Sequence, residues 1–238
     1  MENKLIHTFL EFAEHLANAS RAISLRYFRS TLKIENKSDK SPVSLADKEA
    51  EEAMRWIIEQ RYPRHGIIGE ELGAKNSDAE FVWVLDPIDG TQSFVTGKPL
   101  FGTLISLLHY GQSTIGVIDM PALGERWTGA LNQPTLFQGE PVTTRPCDTL
   151  REAWLYATSP HMFTEANFGC FEKLRMSVHR AVYGAECQGY GLVASGWADL
   201  VCEDTMKLYD YSALIPIIEG ANGVITDWYG SKLNMDSD

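Results

Sequence analysis

The sequence predicts an α+β fold whose second half passes into α/β alternation. Three observations predict it. Two long amphipathic helical stretches come first, short apolar runs crowd the middle, and strand and helix patterns alternate from Trp154 onward. With 238 residues, 44% of them hydrophobic, the chain can bury a sizeable core, as one large domain or two intimately packed lobes. Charged residues at 22% and the lack of any polar low-complexity run exclude a disordered protein.

Leu5, Phe9, Phe12, Ala13, Leu16, Ile23, Tyr27 and Phe28 approximate helical spacing, so a helix is expected over 3–29. The polar, lysine-bearing stretch Ile34–Val43 reads as a hairpin-like excursion. A second helix is expected over 47–61, with Ala50, Ala53, Met54, Ile57 and Ile58 on one face. Ser44 or Asp47 could cap it, since either oxygen accepts an orphan N–H, and Pro63 stops it. Apolar runs at 66–69, 81–85, 101–108 and 114–118 read as strands, with a turn at Tyr110-Gly111. Beyond these come a strand at Trp154–Ala157, a helix at 164–177, a strand at 181–183 and a helix at 186–196. A strand at Ala198–Cys202, a helix at 210–221 and a strand at Val224–Thr226 complete the pattern. A soft boundary at Gly139-Glu140-Pro141 separates residues 1–140 from 141–238.

A formal net charge of −11 argues against nucleic acid as a partner, because that partner needs clustered Lys and Arg. The same acidity repels phosphate esters, so a phosphate site here would need local cations. No run of about 18 apolar residues occurs, so no transmembrane helix and no membrane partner is expected. Met1–His7 lacks the apolar core of a signal peptide. Cys147, Cys170, Cys187 and Cys202 are widely spaced without a C-x-x-C pair, which suits free thiols in a cytoplasmic, reducing setting.

The chemistry concentrates in the run Trp83-Val84-Leu85-Asp86-Pro87-Ile88-Asp89-Gly90-Thr91-Gln92-Ser93-Phe94. An apolar strand ends in Asp86, Pro87 fixes φ and Gly90 permits an unusual backbone conformation, so the chain is expected to turn sharply. Two carboxylates would then leave a strand end together. A short helix beginning at Thr91 would aim its free N–H groups beside them, a cradle for phosphate. Carboxylates alone repel phosphate, whereas carboxylates holding Mg²⁺ attract it, and hard oxygen ligands suit that ion.

This run resembles the first motif of the inositol monophosphatase superfamily, with Ser93 standing where Asn is common. Gly69-Glu70-Glu71 after a short apolar strand is similar to a second family element. Tyr209-Asp210-Tyr211-Ser212-Ala213 resembles the family's later motif, with Tyr209 in place of the usual Trp. Ser41-Pro42-Val43-Ser44-Leu45-Ala46-Asp47 resembles its Ser-Pro-Val and Thr-x-x-Asp elements. The resemblance implies a layered αβαβα sandwich of the inositol monophosphatase and fructose-1,6-bisphosphatase type, with the site between two lobes. It also implies site roles. Glu70, Asp86 and the Ile88 carbonyl would hold one Mg²⁺; Asp86, Asp89 and Asp210 would hold a second, and Glu70 would touch a third. Asp47 with Thr91 would orient the attacking water, with Glu70 also catalytic, while Gly90 and Thr91 would bind phosphate through backbone N–H groups. Two metals in such a site clamp the attacking and leaving oxygens of an in-line displacement. Oxygen ligands alone do not separate Mg²⁺ from Mn²⁺.

Three further stretches look like the histidinol-phosphate phosphatase branch: Thr96–Leu104, Glu125-Arg126-Trp127 and Tyr156–His161, with Tyr183-Gly184-Ala185-Glu186-Cys187 fitting as well. Glu186 is expected at the start of the helix beside the leaving group, where a carboxylate could pair with the ammonium of histidinol phosphate or bond a hydroxyl of an inositol ring. Inositol monophosphate or another small phosphate remains an alternative, and so does a catalytically weak metal-binding regulatory homologue. The family implies a homodimer and a further strand and helix after Thr226-Asp227-Trp228. This chain stops at Asp238, which would leave a sheet edge and apolar surface uncovered.

Overall fold

The computed structural model describes residues 2–30, 34–36, 42–235 and 237, with backbone alone at 34–36 and 42–44. Helix α1 (Asn3–Tyr27) and helix α2 (Leu45–Arg61) flank an antiparallel pair, β1 (Ile34–Asn36) and β2 (Pro42–Ser44). The expected hairpin-like excursion is therefore present. Ser41 and the side chain of Ser44, a candidate cap, lie outside the described residues.

A mixed sheet follows: β3 (Gly66–Gly69), β4 (Gly73–Lys75), β5 (Phe81–Asp89), β6 (Gly102–His109), β7 (Gln112–Met120), β8 (Glu125–Ala130), β9 (Leu136–Phe137) and β10 (Glu140–Pro141). Its spatial order is β10-β9-β8-β7-β6-β5-β3-β4. The β3–β5 pair is parallel and the other pairings are antiparallel. Tyr110 and Gly111 join β6 to β7 at φ +48° and +76°. A two-residue hairpin turn with both centres left-handed matches the twist of its strands. β4, β8, β9 and β10 carry too few consecutive apolar residues to be anticipated from pattern.

Side chains alternate across this sheet, as period two requires. Trp83, Leu85, Ile105, Leu107, Ile115 and Val117 face α1 and α2, where Phe9, Leu16, Met54 and Ile58 meet them. Leu104, Ile118, Met120 and Trp127 face the other way. Asp119, buried on β7, accepts Arg21 Nε at 2.9 Å and Arg126 Nε at 2.6 Å. One carboxylate thus ties α1 to β7 and β8.

A second sheet, all parallel, has the order β12-β11-β13, formed by β11 (Trp154–Ala157), β12 (Arg180–Tyr183) and β13 (Leu200–Val201). Helix α3 (Thr91–Val95) belongs to the first half, and α4 (Glu165–Ser177) buries Phe171 against Leu155 and Ala157. Between the sheets lie α5 (Gln188–Ala194), α6 (Leu208–Tyr211) and α7 (Leu214–Gly220), whose Tyr190, Leu214 and Ile217 pack on Trp127 and Ile118. The layers run α1/α2, large sheet, α5–α7, small sheet, α4: the expected αβαβα sandwich.

Three expected elements are corrected. The helix at 210–221 is broken into α6 and α7 at Ser212-Ala213. Pro216 has no N–H for the Ser212 carbonyl, and that carbonyl accepts Ser113 Oγ at 2.6 Å instead. The helix expected from 186 begins at Gln188, because Gly184 and Glu186 sit at φ +77° and +52°. Val224–Thr226 is not a strand. Val224 is 87% exposed, and no described strand offers the segment a ladder. Ile225 and Thr226 instead wall a cavity of about 380 Å³ with Tyr190, Glu203, Met206 and Trp228. Among the described residues, no helix is long and apolar enough to cross a membrane.

Candidate metal centre

The site grows from an irregularity in β5. Its register with β6 runs to Asp86↔Leu104 and resumes at Asp89↔Gly102, so β5 carries one residue more than its partner there. The strand therefore does not end at Asp86 as pattern suggested; it bulges. Pro87 supplies the cause, since it cannot donate to the ladder. Its carbonyl accepts Thr103 Oγ1 at 2.8 Å, and that hydroxyl lies 2.8 Å from Ser20 Oγ of α1. Ile88 is buried with Ala46, Phe94 and Phe101. The bulge thereby directs Asp86 and Asp89 out of the sheet, and Gly90, at φ +80°, turns the chain into α3.

Asp86, Asp89 and Asp210 each present a carboxylate oxygen, and these oxygens lie within 4.8 Å of one another. Asp210 arrives in the first turn of α6, where its Oδ2 accepts the N–H of Lys207 at 2.6 Å. Asp89 Oδ2 accepts the N–H of Cys187 at 2.7 Å, across 98 residues of sequence. Asp86 is buried, and its Oδ1 has no hydrogen-bond partner among the described residues. Burial pushes the Asp86 carboxyl well above the usual carboxylate range, and Glu70, Asp89, Asp210 and Asp47 add to the rise. Burial and Glu186 push Asp89 up to about 8 against the Cys187 N–H. Asp210 rises to about 7, chiefly through burial, with Glu70 and Glu203 adding. Like charges this close cannot all ionise without a cation.

Glu70 stands just past β3, its N–H donating to Leu85 O at 3.1 Å beside Asp86. It is outside the triplet of converging oxygens, yet its charge acts on both Asp86 and Asp210. Asp47, buried in the first turn of α2, also acts on Asp86 through its charge. Thr91 Oγ1 donates to Ile88 O at 3.2 Å. The structure thus brings Asp86, Asp89 and Asp210 together, with Glu70 and Asp47 near enough for their charges to act on Asp86.

Glu186 comes to the same place. Its Oε1 accepts Ser93 Oγ at 2.7 Å and lies 4.0 Å from Lys98 Nζ, while Lys98 also donates to Gly184 O. A Cβ on Gly90 would meet Glu186 Cγ at 2.8 Å, so position 90 must be bare for the acid to sit there. Sequence reasoning missed three participants: the Ser93 hydroxyl, the Cys187 N–H and Glu203. Glu203 accepts Thr158 N at 2.9 Å and Tyr190 Oη at 3.0 Å, and burial raises its carboxyl. Its only sequence signal is an acid directly after an apolar strand.

The inositol monophosphatase family model matches residues 5–238. The chain belongs to the inositol monophosphatase family. It is 50% identical over 226 residues to the bifunctional phosphatase IMPL2, chloroplastic, of Arabidopsis thaliana, covering 94% of this chain and 65% of that protein. The chain thus spans about two-thirds of that relative's length. It is 32% identical over 231 residues to the histidinol-phosphatase of Chlorobaculum parvum, covering 96% of this chain and 89% of that one. Among solved structures, an inositol monophosphatase from Zymomonas mobilis superposes with a TM-score of 0.89 at 43% identity, covering 97% of this chain and 90% of the other. The family implies a divalent cation, and the residues present fit one. The donors are hard oxygens, three of them converge, and a buried Asp86 oxygen has no hydrogen-bond partner among the described residues.

Proposed function

We propose that this member of the inositol monophosphatase family hydrolyses a small phosphate monoester, with histidinol phosphate as its principal substrate. The convergence of Asp86, Asp89 and Asp210 carries the first part of the proposal. Glu70, Asp86, the Ile88 carbonyl, Asp89 and Asp210 would hold two or three Mg²⁺ ions, and Mn²⁺ suits the same oxygens. Bound divalent ions would neutralise the ester's charge and acidify water. Asp47 and the Thr91 hydroxyl orient a water toward phosphorus, with Glu70 beside them. Gly90 and Thr91 offer backbone N–H groups at the start of α3, which the helix itself leaves unused.

The choice of histidinol phosphate rests on the stretches Thr96–Leu104, Glu125-Arg126-Trp127 and Tyr156–His161, with Glu186 as a compatible partner for the substrate. A carboxylate beside the acid cluster, only 11% exposed at its side chain, can pair with an ammonium on the leaving group. The histidinol-phosphatase from Chlorobaculum supports the same choice. Inositol monophosphate is the second reading, favoured by the likeness to the Zymomonas structure. The reading further divides the chain into a lobe of residues 1–140 that brings most ligands and a lobe of 141–238 that brings the substrate side. It places the protein in the cytoplasm, which the four free cysteines support, and takes the homodimer from the family resemblance alone. Phosphate release from histidinol phosphate, inositol 1-phosphate and adenosine 3′,5′-bisphosphate, with and without Mg²⁺, tests it. The expected order is that in which they are named; release from none of them contradicts hydrolysis.

A further inference from the structure

One buried carboxylate holds the turn that carries Glu70. Glu51 lies on α2 one helical turn after Asp47 and is fully buried. Its Oε2 accepts the N–H of Glu71 at 2.8 Å and its Oε1 accepts the N–H of Leu72 at 3.2 Å. Arg55, a further turn along, donates Nε to Glu51 Oε1 at 2.7 Å and Nη2 to the carbonyl of Gly73. Gly69 is bare because the Glu51 carboxylate fills the space where its Cβ would stand. Helix α2 therefore holds the backbone just after Glu70 by two hydrogen bonds and packs against Gly69 just before it, through a single side chain, with Arg55 supplying the opposite charge.

We propose that Glu51 is a positioning residue for Glu70: it fixes the 70–73 turn and so sets the reach of Glu70 toward Asp86 and Asp210. The inference rests on Glu70 serving as a cation ligand. Groups that orient metal ligands from behind typically govern affinity by about 10–100-fold. Glu51→Gln keeps the volume but removes the charge. Gly69→Ala keeps Glu51 but displaces its carboxylate. Direct Mn²⁺ titration of the full chain by calorimetry, well below the melting temperature, should show each variant binding about tenfold more weakly. The exposed Glu52→Gln should bind as the parent does. A folded Glu51→Gln protein with unchanged Mn²⁺ affinity overturns the proposal, even if its melting temperature falls. Should that variant fail to fold, unchanged affinity in Gly69→Ala overturns it equally. Glu70→Gln separates the two layers. If it binds Mn²⁺ like the parent, Glu70 is no ligand and the underlying reading falls; if it weakens binding while Glu51→Gln does not, the positioning role alone falls.

Discussion

Asp86 is a buried carboxylate with an oxygen that nothing in the described chain satisfies, and such a group destabilises the protein that holds it. Asp86→Asn removes the charge at nearly constant volume. It should therefore raise, or at least hold, the melting temperature measured in EDTA, while the increase on adding Mg²⁺ disappears. Turnover should fall by about 10²–10³ or more, read by phosphate release at saturating Mg²⁺. Glu186→Gln should raise KM for histidinol phosphate about tenfold, the loss of one charge-assisted bond, and leave KM for an uncharged-alcohol phosphate ester nearly unchanged. Equal rises for both esters would remove Glu186 from substrate choice. Asp86, Asp89 and the turn after them were legible because Pro87 fixes φ and Gly90 allows a left-handed backbone. The Ser93–Glu186 bond spans 93 residues and the Asp89–Cys187 bond 98, and such contacts exist only once the layers have stacked.

The link between α2 and β3 carries a neutral histidine in an aromatic stack. His65 lies 4.5 Å from the Tyr62 ring and 5.1 Å from Phe81, and its Nδ1 accepts Trp83 Nε1–H at 3.1 Å. Burial, opposed by Glu80 and aided by Arg64, lowers its pKa from 6.5 to about 4. Between those values the unfolded chain binds a proton that the folded chain refuses at His65, so the contribution of this residue to stability falls as pH drops through the window. Measured against His65→Gln, which removes this group and leaves the acid cluster in place, the parent's melting temperature should decline from pH 6.5 to 4. Most long elements were legible because their periodicity is strong. The break before α7 was not, since it depends on Ser113 taking the carbonyl that Pro216 cannot serve. β8 was hidden because Arg126 interrupts its apolar pattern, and Arg126 is held there by Asp119 from the next strand and by Asn18 of α1. The β-branched run Val224–Thr226 erred the other way: strand preference has no effect without an edge to join.

For the molecule as a whole, the acid cluster couples folding to cations. A protein that binds Mg²⁺ only when folded gains about 2.7 kcal/mol at a concentration 100 times the dissociation constant. Thermal melts should therefore shift upward with Mg²⁺ and return on adding EDTA, and an unshifted melt would contradict a cation site among these acids. The order of layers was legible from the succession of helix, strand and alternating patterns, whereas which layer meets which was carried by the family resemblance. The long span between Pro141 and Asp210 also bears on synthesis. A chain emerging from the ribosome can pair every strand of its large sheet once Pro141 is out, but the last carboxylate of the triplet comes far later. Half-made copies accordingly lack the full cluster, and a cation site that needs all three carboxylates waits until α6 has emerged.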